Sequence, residues 1–231
     1  EGSFSLGAIL AALLLQAGVH PIFAIIISFL AGLVCGLVTA FLYTICRIPM
    51  LLSGIIVMTA LYSIILLISD GLPNIFVSGM TIFKGFSDLL VKMNISEYVA
   101  SNLSIILVSG LIVTIVCVGL YWFFGTEIGI AIRATGRNER MANANGINTT
   151  LMNFIGLGLS NGLIGLAGAL YAQEELFADI NQGKGTIVIG LAAIMLGEAI
   201  FGKRSFKQNI VAIVAGTITY FFIIRLALEL G

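Results

Sequence analysis

Residues 21–45 read PIFAIIISFLAGLVCGLVTAFLYTI, twenty-five positions without a single Asp, Glu, Lys or Arg. A helix crosses the hydrocarbon core of a bilayer with about 20 apolar residues. A soluble helix keeps a polar face, and this run keeps none. It is read as a membrane-spanning helix. Working outward, the segments 4–19, 48–69, 99–124, 151–172, 185–201 and 209–230 follow suit. The expected fold is all-α, a polytopic membrane helical bundle of about seven spans. The first and sixth runs are short and leave room for tilted, broken or re-entrant helices. A β-barrel is excluded, because these runs are apolar on every face rather than alternating.

Composition agrees. Apolar residues make up 59% of the 231 positions and charged ones 10%, against about 25% charged in an ordinary soluble domain. Disordered, collagenous and disulfide-scaffold classes are excluded. So is a nucleic-acid binder, since eleven Lys plus Arg face eleven Asp plus Glu. Cys35, Cys46 and Cys117 are expected to be small buried hydrophobes. The single His20 has no partners for a metal site. No H-E-x-x-H, Ser/His pair or in-membrane Asp dyad occurs, so no catalytic, metal or cofactor site is expected. Glu1 does not look like the start of a signal peptide, and a further helix is expected beyond each end of the chain.

Orientation follows the basic residues. With Arg47 in the cytoplasm, alternation places Arg133, Arg137, Arg140, Lys203, Arg204 and Lys207 there too, seven in all. The outer loops then hold Lys84, Lys92 and Lys184, three in all. Inside the fifth run, Gly158, Gly162, Gly165 and Gly168 form one stripe, with Gly32 and Gly36 in the second run. Small residues let helices approach closely in lipid, so helix packing is the expected role of these glycines.

Residues 125–150, GTEIGIAIRATGRNERMANANGINTT, are too polar to span and too long for a turn. They predict two short amphipathic helices at the cytoplasmic surface, with Gly136 and Gly146 as breaks. Asn138 is placed to cap the second, which runs from Glu139 to about Asn145.

The pattern G-I-A-I-R-A-T-G-x-N-x-x-M-A-x-x-x-G-I-N over 129–148 resembles the cytoplasmic coupling segment of bacterial ABC importer permeases of the branched-chain amino acid and ribose type. SNGLIGLAGALYAQ at 160–173, LGEAIFG at 196–202 and IPMLLSGIIVMTALYSI at 48–64 extend the likeness. It is nearest to tryptophan/tyrosine-type import permeases. The resemblance implies one permease domain over 1–231 in the bacterial cytoplasmic membrane, embedded in lipid, with 125–150 as its coupling segment. It implies a second permease chain as a homodimer partner, cytoplasmic ATP-binding subunits and an extracellular substrate-binding protein. The chain has no G-x-x-x-x-G-K-[ST] loop of its own. ATP hydrolysis would therefore be converted to helix movement by contact, with Arg133, Gly136, Arg137, Asn138, Glu139, Met141, Ala142 and Gly146 as the coupling residues. A self-contained secondary transporter or channel is the alternative. It calls for inverted repeats or paired buried carboxylates, and neither stands out.

A polar solute needs polar groups on its route. Ser53, Thr59, Asn153, Ser160 and Asn161 lie inside spans and are candidates for it, Asn161 foremost, although helix adhesion is the commoner role of such groups. Glu198 is expected to meet Lys203 or Arg204, and Arg225 to pair with Glu229 at i,i+4. Tyr121 to Phe124 suit an interfacial aromatic belt. In the long connection 69–98, residues 83–93 suggest a short surface helix. Residues 173–183, with Glu174, Glu175 and Asp179, suggest an outward platform.

Overall fold

A computed structural model describes residues 2–93, 96–202 and 206–230, the side chains at 206, 207 and 230 excepted. In chain order the elements are α1 (Gly2–Gln16), α2 (Pro21–Thr44), α3 (Met50–Ile68), β1 (Asn74–Phe76), α4 (Ile82–Lys92), α5 (Glu97–Gly125), α6 (Glu127–Arg137), α7 (Glu139–Ala144), α8 (Thr149–Glu175), β2 (Phe177–Asp179), α9 (Thr186–Phe201) and α10 (Phe206–Leu230). Among the described residues, five helices are long and apolar enough to cross a membrane: α2, α3, α5, α8 and the part Gln208–Glu229 of α10. At about 1.5 Å per residue the shortest of these reaches ~29 Å, close to the hydrocarbon thickness. The shorter apolar helices are α1, with 15 residues, and α9, with 16. Of the seven expected runs, then, five are long enough to span and two are shorter among the described residues.

The centre of the bundle is a three-helix seam in which backbone meets backbone. α8 runs antiparallel to α2 and parallel to α1. A Cβ added at Gly36 would strike the Leu157 carbonyl, one at Gly32 the Asn161 carbonyl, and one at Gly165 the Ser28 carbonyl. On the other side, a Cβ at Gly7 would strike the Gly165 carbonyl and one at Gly168 the Phe4 carbonyl. Ser28, fully buried, donates its hydroxyl to the Gly7 carbonyl at 3.0 Å. The stripe therefore does what its spacing predicts: without Cβ atoms the helices come close enough for dispersion and short polar contacts to hold them. Ala8, Ala11, Ala12, Ala24, Ala169 and Ala172 fill the rest of this seam, and α3 closes it with Val57, Leu61 and Ile65.

The described part of α1 lies beside the second half of α8. Its first turn meets α8 at mid-span, where the Ser3 hydroxyl donates to Asn161 Oδ1 at 2.7 Å. Its last residue, Gln16, donates to the Phe76 carbonyl at 2.7 Å near the far end of α8. α9 and α10 form a separate hairpin, closed by Gly197 against Ala212 and by Gly216 against Ala193. Cys117, Val118 and Tyr121 of α5 face Ile210 of α10 across a shallow cavity.

Several local features match expectation. His20 Nδ1 accepts from Ile22 N–H, and Pro21 opens α2 at its first position. α4 is the surface helix of the long connection, capped by Thr81, whose hydroxyl accepts from Lys84 N–H at 3.2 Å. The cysteines are free thiols, and Cys35 is buried as expected, whereas Cys117 is half-buried and Cys46 is exposed. Arg225 Nε and Glu229 Oε1 lie 3.7 Å apart, both well exposed. Lys203 and Arg204, the partners expected for Glu198, lie outside the described residues.

Two features depart from it. β1 and β2 pair antiparallel with Ile75 opposite Ala178, both buried, adding a small sheet to the helical fold. The stretch after α8 was expected to face outward as a platform. Instead Leu176, at φ 61°, reverses the chain, and β2 carries it back beside α1 with Ala178 and Ile180 buried.

Candidate functional site

Two regions bear on function: the segment between α5 and α8, expected on the cytoplasmic side, and a mainly apolar cavity half-way along the bundle. Three side-chain caps shape the first. Thr126 accepts from Gly129 N–H at 3.3 Å and starts α6. Asn138 Oδ1 accepts from Met141 N–H at 3.1 Å and starts α7. Asn148 Oδ1 accepts from Leu151 N–H at 3.0 Å and starts α8. Each cap satisfies an orphan amide and fixes where the chain turns. Gly146, at φ 82°, ends α7 as expected. Gly136 does not break the helix: it lies inside α6, and the break falls at Asn138, whose φ of −157° leaves the helical region. Replacing Asn138 by Ala should cost about 1 kcal/mol of local stability. Hydrogen exchange should then speed up across 139–144 and stay unchanged across 151–172.

The segment is tied to α8 from both sides. A Cβ at Gly156 would touch Ile132 of α6 at 3.5 Å. Glu139 Oε1 accepts from Asn153 Nδ2 at 3.3 Å. Ala142 is 3% exposed and turns inward, whereas Met141 is 64% exposed. Arg133, Gly136, Arg137, Asn138, Glu139 and Gly146 are also exposed. Seven of the eight expected coupling residues thus lie on an accessible knuckle, and Ala142 anchors it.

The second region is a cavity of about 260 Å³ between α1, α3 and the chain leading into α9. Its lining includes Ser5, Met58, Thr59, Tyr62, Ile65, Ile180 and Lys184. Gly183 N–H donates to Ser5 Oγ at 3.1 Å, which holds residues 180–185 at the level of α1's first turns. Lys184, expected in an outer loop, is therefore held level with the first turns of α1, with its side chain exposed along the cavity wall. Its ammonium sits 5.5 Å from the centre of the Tyr62 ring.

The five candidates for the solute route separate here. Thr59 lines the cavity, its hydroxyl donating back to the Ile56 carbonyl at 2.9 Å. Asn161 joins α8 to α1 through Ser3, and its amide donates to the Leu157 carbonyl. Ser53 is buried and bonds back to the Pro49 carbonyl. Asn153 sits at the cytoplasmic knuckle, and Ser160 is exposed away from the cavity. Lys184 and Ser5 escaped the sequence reading, since neither stands in a polar run and only the long-range bond between Ser5 and Gly183 brings them together.

The family model described as branched-chain amino acid transport system / permease component matches residues 1–231. A tyrosine transport system permease protein of Clostridioides difficile is 37% identical over 231 residues, covering 100% of this chain and 73% of that protein. An uncharacterized protein of Rickettsia prowazekii is 32% identical over 235 residues, covering 100% of this chain and 78% of its own length. A nucleoside ABC transporter permease protein of Lactococcus lactis is 32% identical over 93 residues, 40% of this chain and 28% of that protein. No solved structure matches.

Proposed function

The chain belongs to the branched-chain amino acid transport system permease family, and from that membership we propose that it imports a free amino acid at the expense of ATP hydrolysed on a separate subunit. As a permease component it is a multi-pass protein of the inner membrane. The translocation route runs beside α3 and the shorter helices α1 and α9. Two copies would enclose it, an extracellular binding protein would deliver the solute, and cytoplasmic ATPase subunits would dock on α6 and α7.

The observation that carries this reading is the knuckle itself. A docking element must be exposed, rigid and attached to a spanning helix, because hydrolysis elsewhere acts only through differential contact with two states of the permease. Exposed Arg137 and Met141, the capped turns and the Asn153–Glu139 bond meet those requirements. The tyrosine transport relative, alike over its whole overlap with this chain, supports an amino acid as the solute.

The test is to purify the permease with its co-encoded ATPase and binding protein and to measure uptake into proteoliposomes. ATP-dependent accumulation of an amino acid, lost when the ATPase is omitted, is the expected result. Solute flux through the permease alone, indifferent to ATP, would establish a secondary transporter or channel instead.

A further inference from the structure

We propose that Lys184, Thr59 and Tyr62 form a carboxylate subsite midway across the membrane, where a permeating neutral amino acid is held by its α-carboxylate. The inference rests on the amino acid reading above and adds a binding site to it.

Depth comes first. Ser3 meets Asn161, which lies 12 residues from the start of α8 and 14 from its end. Gly183 bonds to Ser5, two residues on from Ser3 and about one half-turn of helix further out. The segment that presents Lys184 is therefore near the middle of the span. An ammonium at that depth is expensive and marks a solute or ion pathway by default.

Pairing is the second point. Among the described residues no carboxylate forms a salt bridge with Lys184, and the contact its ammonium makes is with the face of Tyr62. A cation held over a ring is kept in place without being neutralised. The charge remains for a visiting anion.

The backbone adds to it. α9 starts at Thr186, directly after Gly185, whose φ of 85° turns the chain into the helix. The start of this helix sets the positive end of its dipole beside the cavity wall formed by Gly183 and Lys184, an arrangement that suits a carboxylate. Thr59 offers complementary chemistry. Its proton is spent on its own helix, leaving oxygen lone pairs to accept from an α-ammonium. Met58, Ile65 and Ile180 supply an apolar wall for a side chain. At about 260 Å³ the cavity suits one small solute rather than a drug-sized ligand, which takes about 300–1,000 Å³.

The experiment uses the complete transporter in proteoliposomes, with the twenty L-amino acids as uptake probes and the decarboxylated amine of each transported one as competitor. We expect a neutral L-amino acid to be carried and its amine to compete at least tenfold less well. Lys184→Gln should lower uptake at least tenfold while the variant permease is recovered from the membrane in the same yield as the unaltered one. Lys184→Arg should restore at least half of the uptake. An amine that competes as well as its parent overturns the subsite, and needs no substitution to do so. So does full uptake by Lys184→Gln. Either result leaves amino acid import standing. Absence of uptake for all twenty amino acids by the unaltered complex overturns import of amino acids, and the subsite with it.

Discussion

Gly165→Val should abolish accumulation of folded permease in the membrane. This glycine is the crossing point of three helices: its own Cβ would meet the Ser28 carbonyl, and its carbonyl already fills the space where Gly7 lacks a Cβ. Overpacking a core ordinarily costs about 1–3 kcal/mol because side chains move aside. Here the obstructing atoms are backbone in regular helices, so relief requires separating α8 from α1 and α2. That exceeds the ordinary range and consumes a large share of the ~5–15 kcal/mol that holds a domain folded. Gly165→Ala should already lower the thermal midpoint in detergent. Gly54 and Gly110 supply the control, since a Cβ at either meets nothing within 4 Å. Alanine there should be neutral or raise stability by up to about 1 kcal/mol, the helix-propensity gain over glycine. Thermal unfolding followed by size-exclusion chromatography checks both halves, and a Gly165→Val permease that behaves like the Gly110→Ala one would contradict the seam.

The second large effect is loss of coupling. Arg137→Glu together with Met141→Asp should reduce ATP-dependent uptake at least tenfold while leaving the protein folded, because both side chains are exposed and support nothing internal. Couplings between sites are typically worth 1–3 kcal/mol, or about 5–150-fold, so a tenfold loss lies inside the ordinary range. Ala142→Leu should reach a similar loss by another route. The methyl is buried at 3% exposure, so a larger side chain tilts α7 away from α8. The readout is the ratio of solute carried to ATP hydrolysed in the reconstituted complex. Unaltered transport in the double variant would reject the knuckle as the docking element.

How much of this was legible in the sequence depends on the range of the interaction responsible. The five full spans were visible because each is a continuous apolar run whose length is set by the bilayer and not by neighbours. The caps at Asn138 and α7's end at Gly146 were visible because capping is local chemistry. Gly136 misled for the same reason: a glycine tolerates a helix as well as it ends one, and only the stronger cap two residues later decides. The shortness of α1 and α9 was legible, but the level at which α1 sits was not, because only the bond from Ser3 to Asn161 sets its first turn beside the middle of α8. Three-residue strands such as β1 and β2 carry too little periodicity to register. The depth of Lys184 rests on one bond between residues 178 positions apart, which no local pattern announces. The bond from Ser3 to Asn161, the foremost candidate for the solute route, was likewise out of reach of any local pattern.

The absence of Cβ atoms along α8 has a mechanical consequence. Helices that touch through flexible side chains have a soft layer between them, and a small displacement of one is absorbed before it reaches the next. α1, α2 and α8 have almost no such layer where Gly7, Gly32, Gly36, Gly165 and Gly168 meet opposing carbonyls. α8 is thus a push-rod without play. A shove received at the end of α8 next to α7 would travel its length with little damping and reach the first turn of α1, beside the cavity.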